Sequence, residues 1–183
     1  METIFTERIF YSTPTKLPPK FLEEIIKEIE TTTHNNSVIS LDDVLDTQVR
    51  SSKQAWLHWD NWIAGICFNI MMAANKQYFH YDLDHFDSGL QSTIYTEGDH
   101  YDWHTDPLAS NTGKERKLSM SLLLNEEYEG GELEFDYKPW YKKIKPKAGQ
   151  AIIFPAWIPH RVLPVTKGKR ISLVAWINGP HWK

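Results

Sequence analysis

The chain has 183 residues, 41% of them hydrophobic and 24% charged, with a formal net charge of -4 at pH 7. That is enough for one domain with a real core and argues against disorder; the mild acidity, without any block of Lys or Arg, excludes a general attraction to nucleic acid or anionic membrane. The single cysteine, Cys67, rules out an intrachain disulfide and a thiolate metal site. The first residues, METIFTERIFYS, carry acidic groups and no uninterrupted apolar core, so they do not read as a signal peptide. No run reaches membrane-spanning length, and the expected location is the cytoplasm.

Residues 3–10 (TIFTERIF) are apolar enough for a first strand. Pro18 and Pro19 then open a helix in which Phe21, Leu22, Ile25, Ile26 and Ile29 recur at helical spacing, with the charges opposite. The polar run TTTHNNS ends it, and His34 within that run reads as a solvated surface residue. Residues 38–56 carry no clear period. From Asn61 to about Tyr81 the spacing is helical again; Trp62, Ile66, Ile70 and Ala73 or Ala74 mark the face expected to pack on a sheet. Cys67 sits in the apolar GICFNIMMAA and reads as a small buried hydrophobe. His80 and His85 in HYDLDHFD form a cluster of potential ligands, but at no spacing that suits a metal site.

From Leu90 the character changes. Short β-rich runs alternate with Gly, Pro and Asn: LQSTIYTE, YDWHTD, KLSMSLLLN, GELEFDY, YKKIKP, QAIIFPA, HRVLPV and RISLVAWI. This spacing indicates an all-β sandwich or barrel, of which the jelly roll is one type. No linker or repeat divides the chain. The expectation is therefore a single domain over 1–183, with 1–89 mostly helical support packed on one sheet and 90–178 the β-core.

Within the β-core, YTEGDHYDWHTD places His104 and Asp106 one residue apart. On an extended strand, residues i and i+2 share a face, so the imidazole and the carboxylate would converge. A third donor is available at His160, which follows Pro159 and opens a later strand. Two histidines and one carboxylate make the facial triad of non-haem Fe(II) sites, which leaves coordination positions open. In RISLVAWI, alternation puts Arg170, Ser172, Val174 and Trp176 on one face and the apolar Ile171, Leu173, Ala175 and Ile177 on the other. A buried Arg needs an anion, and these late strands offer no acidic partner; a bound dicarboxylate would supply one. The competing readings are a solvated Arg and an H-x-D pair that occurs by chance.

The set H-x-D, a later His and R-x-S ten residues on resembles the iron- and 2-oxoglutarate-dependent oxygenases, in particular their prolyl-4-hydroxylase-like branch. Supporting pieces are Tyr95 in IYTEG, Tyr101 three residues before His104, the turn GGEL, and KAGQAIIFPAWIPHRV around His160. The resemblance covers about residues 90–178 and implies a double-stranded β-helix. It implies His104, Asp106 and His160 as Fe(II) ligands. It also implies Arg170 on the distal carboxylate of 2-oxoglutarate, with Ser172 beside it and Tyr95 giving a hydroxyl to the same group. Collagen-type members use Lys where Arg170 stands. Leu123 lies where some oxygen-sensing members place a second co-substrate tyrosine. Asp106 is kept, whereas related halogenases lose this carboxylate, so hydroxylation is the outcome the resemblance implies.

The implied reaction hydroxylates a C–H bond, at a prolyl residue of a protein or peptide, with O2 as the other co-substrate and release of succinate and CO2. Tyr101, Trp103, Arg116, Arg161 and Trp176 are candidates for the substrate groove, with Trp140, Trp157 and Tyr128 as further aromatic lining. Pro107 to Lys117 reads either as a mobile flap or as an ordinary hairpin loop. The alternatives are a small-molecule or free amino-acid hydroxylase of the same superfamily, a cupin-like protein that binds metal or ligand without turnover, and a β-sandwich interaction module.

Overall fold

In the computed structural model, which describes residues 9–14, 16–37, 46–87, 89–106 and 114–181, a short strand β1 (Tyr11–Ser12) leads to helix α1 (Pro19–Glu30). Proline suits this start because its missing N–H is one that a helix leaves unbonded there anyway. Leu22, Ile25 and Ile29 turn inward while Phe21 stays 46% exposed. Strands β2 (Asn35–Asn36), β3 (Arg50–Ser51) and β4 (Lys53–His58) precede helix α2 (Trp62–Ala74). Asn61 caps α2, its Oδ1 accepting from the Ile63 N–H at 2.9 Å. Glu28 joins the two helices: its carboxylate accepts from Asn61 Nδ2 and, at 2.6 Å, from Trp62 Nε1. A π-helical turn, Asn75–Phe79, follows α2.

The remaining strands are β5 (His85–Phe86), β6 (Gly89–Tyr95), β7 (His100–His104), β8 (Lys114–Leu123), β9 (Tyr128–Gly130), β10 (Leu133–Tyr137), β11 (Trp140–Ile144), β12 (Ala151–Pro155), β13 (His160–Val162), β14 (Val165–Gly168) and β15 (Arg170–Pro180). An eight-stranded antiparallel sheet runs β1-β12-β8-β15-β6-β4-β2, with β5 added to β15. A five-stranded sheet runs β11-β10-β13-β7-β3, and β14 pairs with β9 separately.

Strand alternation sorts the side chains into two cores. One face of the large sheet sends Leu118, Met120, Leu122, Ile153, Leu173, Ala175 and Ile177 against α1 and α2, where they meet Ile25, Ile29, Ile63, Cys67 and Met71. The helices therefore pack on one sheet, as expected. The other face sends Ile152, Phe154 and Tyr95 toward the five-stranded sheet, where they meet Leu133, Phe135 and Val162. Arg170, Ser172, Ser119 and Trp176 share that inner face, which makes the space between the sheets polar at one end.

Several local expectations change. Most of the 3–10 strand lies outside the described residues; Ile9 and Phe10 are not in a strand, which begins at Tyr11. The period-less 38–56 stretch yields β3 and most of β4, with residues 38–45 outside the described set. In α2 the buried residues are Ile63, Ala64, Cys67, Met71 and Ala74, and Trp62 is 46% exposed, so the inward face is rotated from the expected one. His34 is half-buried: its ring nitrogens meet the Thr32 carbonyl at 2.9 Å and the Ser92 hydroxyl at 3.1 Å. HRVLPV divides between β13 and β14, which lie in different sheets, with Leu163 and Pro164 between them. Of the Pro107–Lys117 segment, residues 107–113 lie outside the described set and 114–117 open β8.

Candidate active site

The donors converge at one end of the space between the sheets. His160 pairs with His104 across β13 and β7, and Val162 pairs with Tyr101, so Arg161 alone faces both Asp102 and Trp103. This β-bulge leaves Asp102 and Trp103 exposed outside and turns Tyr101 and His104 inward together. The Tyr101 and His104 rings stack at 3.5 Å between centroids. Asp106 lies just past the end of β7, where its N–H donates to the Ala156 carbonyl at 2.8 Å. His104, Asp106 and His160 each offer one ligand atom, and these atoms lie within 4.8 Å of one another. Among the described residues this is the one cluster of such side chains. The His80/His85 cluster forms none.

Each imidazole is set in the ligating tautomer. His104 Nδ1 donates to the Asp102 carbonyl at 2.8 Å and His160 Nδ1 to the Ile158 carbonyl at 2.9 Å, which leaves both Nε2 lone pairs free. The Nε2 atoms face the carboxylate of Asp106 at 3.7 Å for His104 and 3.6 Å for His160. Asp106 Oδ2 also accepts from Ser119 Oγ at 2.6 Å and from Trp176 Nε1 at 3.0 Å. Burial, then the neighbouring His160, push His104 down from 6.5 to about 3, so it is neutral at physiological pH. Burial opposes the charge on Asp106, but His160, His104, Ser119 and Trp176 outweigh it and hold the carboxyl below its usual range. Two pre-aimed imidazoles beside an ionised carboxylate are a donor set suited to a divalent ion.

Arg170 is 1% exposed. Its Nη1 donates to Ser172 Oγ at 2.8 Å, and its Cζ lies 5.4 Å from the Tyr95 ring centroid. Its Nε has no partner, and among the described residues no carboxylate pairs with it. A buried cation with an unused donor calls for an anionic ligand.

The expected groove residues separate. Tyr101 stacks on His104, and Trp176 holds Asp106. Arg116 lies 3.9 Å over the Trp176 ring and donates from Nε to Asp87 at 2.7 Å. Trp103 and Arg161, by contrast, face outward from the five-stranded sheet because each neighbours an inward histidine. There Arg161 covers Trp103 at 4.7 Å and donates to Glu134 at 2.7 Å. Two contributors were not read from the sequence. Ser119 was legible in principle, since Ser119 and Ser121 alternate with Leu118, Met120 and Leu122. Arg50, buried and 4.5 Å above the Tyr101 ring, comes from the segment without a period and left no signal.

A family model described as the 2OG-Fe(II) oxygenase superfamily matches residues 90–178. A PKHD-type hydroxylase of Synechococcus sp. (strain CC9902) is 43% identical over 83 residues, covering 44% of this chain and 37% of that protein. A PKHD-type hydroxylase of Alteromonas mediterranea is 38% identical over 91 residues, covering 46% and 40%. The chain thus aligns with about two fifths of the length of these curated relatives. Among solved structures, a Pseudomonas putida prolyl-4-hydroxylase matches with a TM-score of 0.75 at 20% identity, over 96% of this chain and 95% of that one. A prolyl hydroxylase from Trichoplax adhaerens, solved with a peptide fragment of hypoxia inducible factor, matches with a TM-score of 0.76 at 17% identity, over 93% and 84%. At these identities the structural matches speak for the fold. Fe(II) and 2-oxoglutarate, which the family name carries, fit the residues present: two pre-aimed imidazoles with a carboxylate for the ion, and a buried guanidinium with no carboxylate partner among the described residues for the acid. Residues 90–178 thus match the 2OG-Fe(II) oxygenase superfamily, and the chain has a prolyl-4-hydroxylase-like fold.

Proposed function

We propose that this protein hydroxylates a C–H bond of a prolyl residue in a protein or peptide, using 2-oxoglutarate and O2. His104, Asp106 and His160 hold Fe(II); Arg170, Ser172 and Tyr95 hold the distal carboxylate of 2-oxoglutarate. The observation that carries this reading is the convergence of three donor atoms within 4.8 Å beside a buried Arg170 whose Nε lacks a partner. Bound Fe(II) supplies the oxidising chemistry, in which one oxygen atom of O2 enters the substrate C–H bond and the other ends in succinate as CO2 leaves. The protein's part is orientation. Ser119 and Trp176 fix Asp106, the Asp102 and Ile158 carbonyls aim the imidazoles, and the aromatic walls Tyr101, Phe135 and Phe154 keep water from the inner side.

A peptide is supported by the aromatic opening: Trp56, 46% exposed, packs at 5.9 Å on Trp176, and such a surface suits a proline ring. It is further supported by the peptide-bound fold relative. A small molecule is the second reading, favoured by Gln54: its buried Oε1 has no partner and would accept from a substrate N–H or O–H, which an internal prolyl nitrogen lacks. The core shared by the helices and the large sheet supports one domain over 1–183. A ferrous centre and a lone buried thiol suit the reducing cytoplasm; among the described residues no helix is long and apolar enough to cross a membrane. Incubation with Fe(II), 2-oxoglutarate and a proline-containing peptide library tests the reading. Succinate release coupled to a peptide mass gain of one oxygen atom supports it. Coupled oxidation of small molecules but of no peptide transfers the assignment to the second reading.

A further inference from the structure

We propose that Tyr128 is a further co-substrate contact, its hydroxyl donating to the same distal carboxylate as Arg170; this rests on 2-oxoglutarate being the co-substrate. Tyr128 opens β9 and is 6% exposed. Its hydroxyl lies against the Arg170 guanidinium without completing a well-formed hydrogen bond, and Arg170 Nε has no partner. Two unsatisfied buried groups on side chains in contact are rare, and one anionic ligand reaching both would satisfy them.

The backbone makes room for this pair. Gly131 has φ +62, and a Cβ there would come within 3.0 Å of Arg170 Cδ and 3.2 Å of Tyr128 Cε2. The phenol is also held in place: Lys145 Nζ donates to the Tyr128 carbonyl at 3.0 Å and lies 4.4 Å from the ring centroid. Leu123 pairs with Ser172 across β8 and β15 and is fully buried, so β8 offers no hydroxyl at that position. Tyr128 is therefore the side chain placed to serve as a second phenol beside Tyr95, reaching the pocket from β9 and not from β8. This assignment replaces its expected place in an aromatic substrate groove.

The test uses the full chain loaded with Mn(II), without O2, and reads binding by calorimetry. Two acids are compared: 2-oxoglutarate, and 2-oxopentanoate, which has the same carbon chain without the distal carboxylate. In Tyr128→Phe, 2-oxoglutarate should bind about tenfold more weakly while 2-oxopentanoate stays within about twofold of wild type. Unchanged 2-oxoglutarate binding overturns the role of Tyr128, and so does an equal loss for both acids, which marks a merely structural phenol. If the wild-type protein binds neither acid, the co-substrate reading itself falls and takes the Tyr128 role with it.

Discussion

Asp106 must stay charged in a buried place and present one oxygen to an ion. Ser119 and Trp176 achieve this by occupying Oδ2. Ser119→Ala and Trp176→Phe should each weaken Mn(II) binding about tenfold to a hundredfold, the usual cost of losing an outer partner of a ligand. Calorimetry on folded variants checks this; unchanged affinity would mean that the carboxylate is fixed by other means. Arg170→Ala should retain the metal and lose 2-oxoglutarate affinity, and a variant that loses both would undermine the separation of the two sites. At this scale the sequence spoke through spacing: H-x-D, the distant His160 and the Arg170/Ser172 alternation were legible because strand geometry maps directly onto faces. Tyr128, Arg50 and the outward turn of Trp103 were not, because they depend on the β7 bulge and on strands too short to show a period.

Among the elements, the helices teach a similar lesson. The inward face of α1 was readable because its charges leave one apolar stripe. That of α2 was not, because WIAGICFNIMMAA is apolar on nearly every side and periodicity singles out no face. The contrast within α1 gives a direct expectation. Ile25→Ala, at a fully buried position, should cost about 2–5 kcal/mol of stability, whereas Phe21→Ala, on the same helix, should change it by about 0.5 kcal/mol or less. Chemical denaturation measures both. Equal effects would mean that α1 does not pack on the large sheet through its Ile25 face.

Across the molecule, one β-core serves two purposes: its outer face builds stability against the helices, while its inner face builds a site that is costly without its ion. His104 shows the cost. In the metal-free protein it is held down from 6.5 to about 3, so between those pH values the unfolded chain binds more protons than the folded one. Stability therefore falls as pH drops through that window, and Asp106, also shifted down, adds to the loss at its lower end. Thermal unfolding of metal-free protein from neutral pH to the acid side should show a steeper loss for wild type than for His104→Leu, and parallel losses would remove His104 from the explanation. The claim on which all else depends is that His104, Asp106 and His160 share one ion. Anaerobic titration with Fe(II) tests it most directly: wild type should take up one equivalent, and His104→Ala and His160→Ala should take up none at the same concentrations. Wild-type uptake that survives intact in both variants would contradict it.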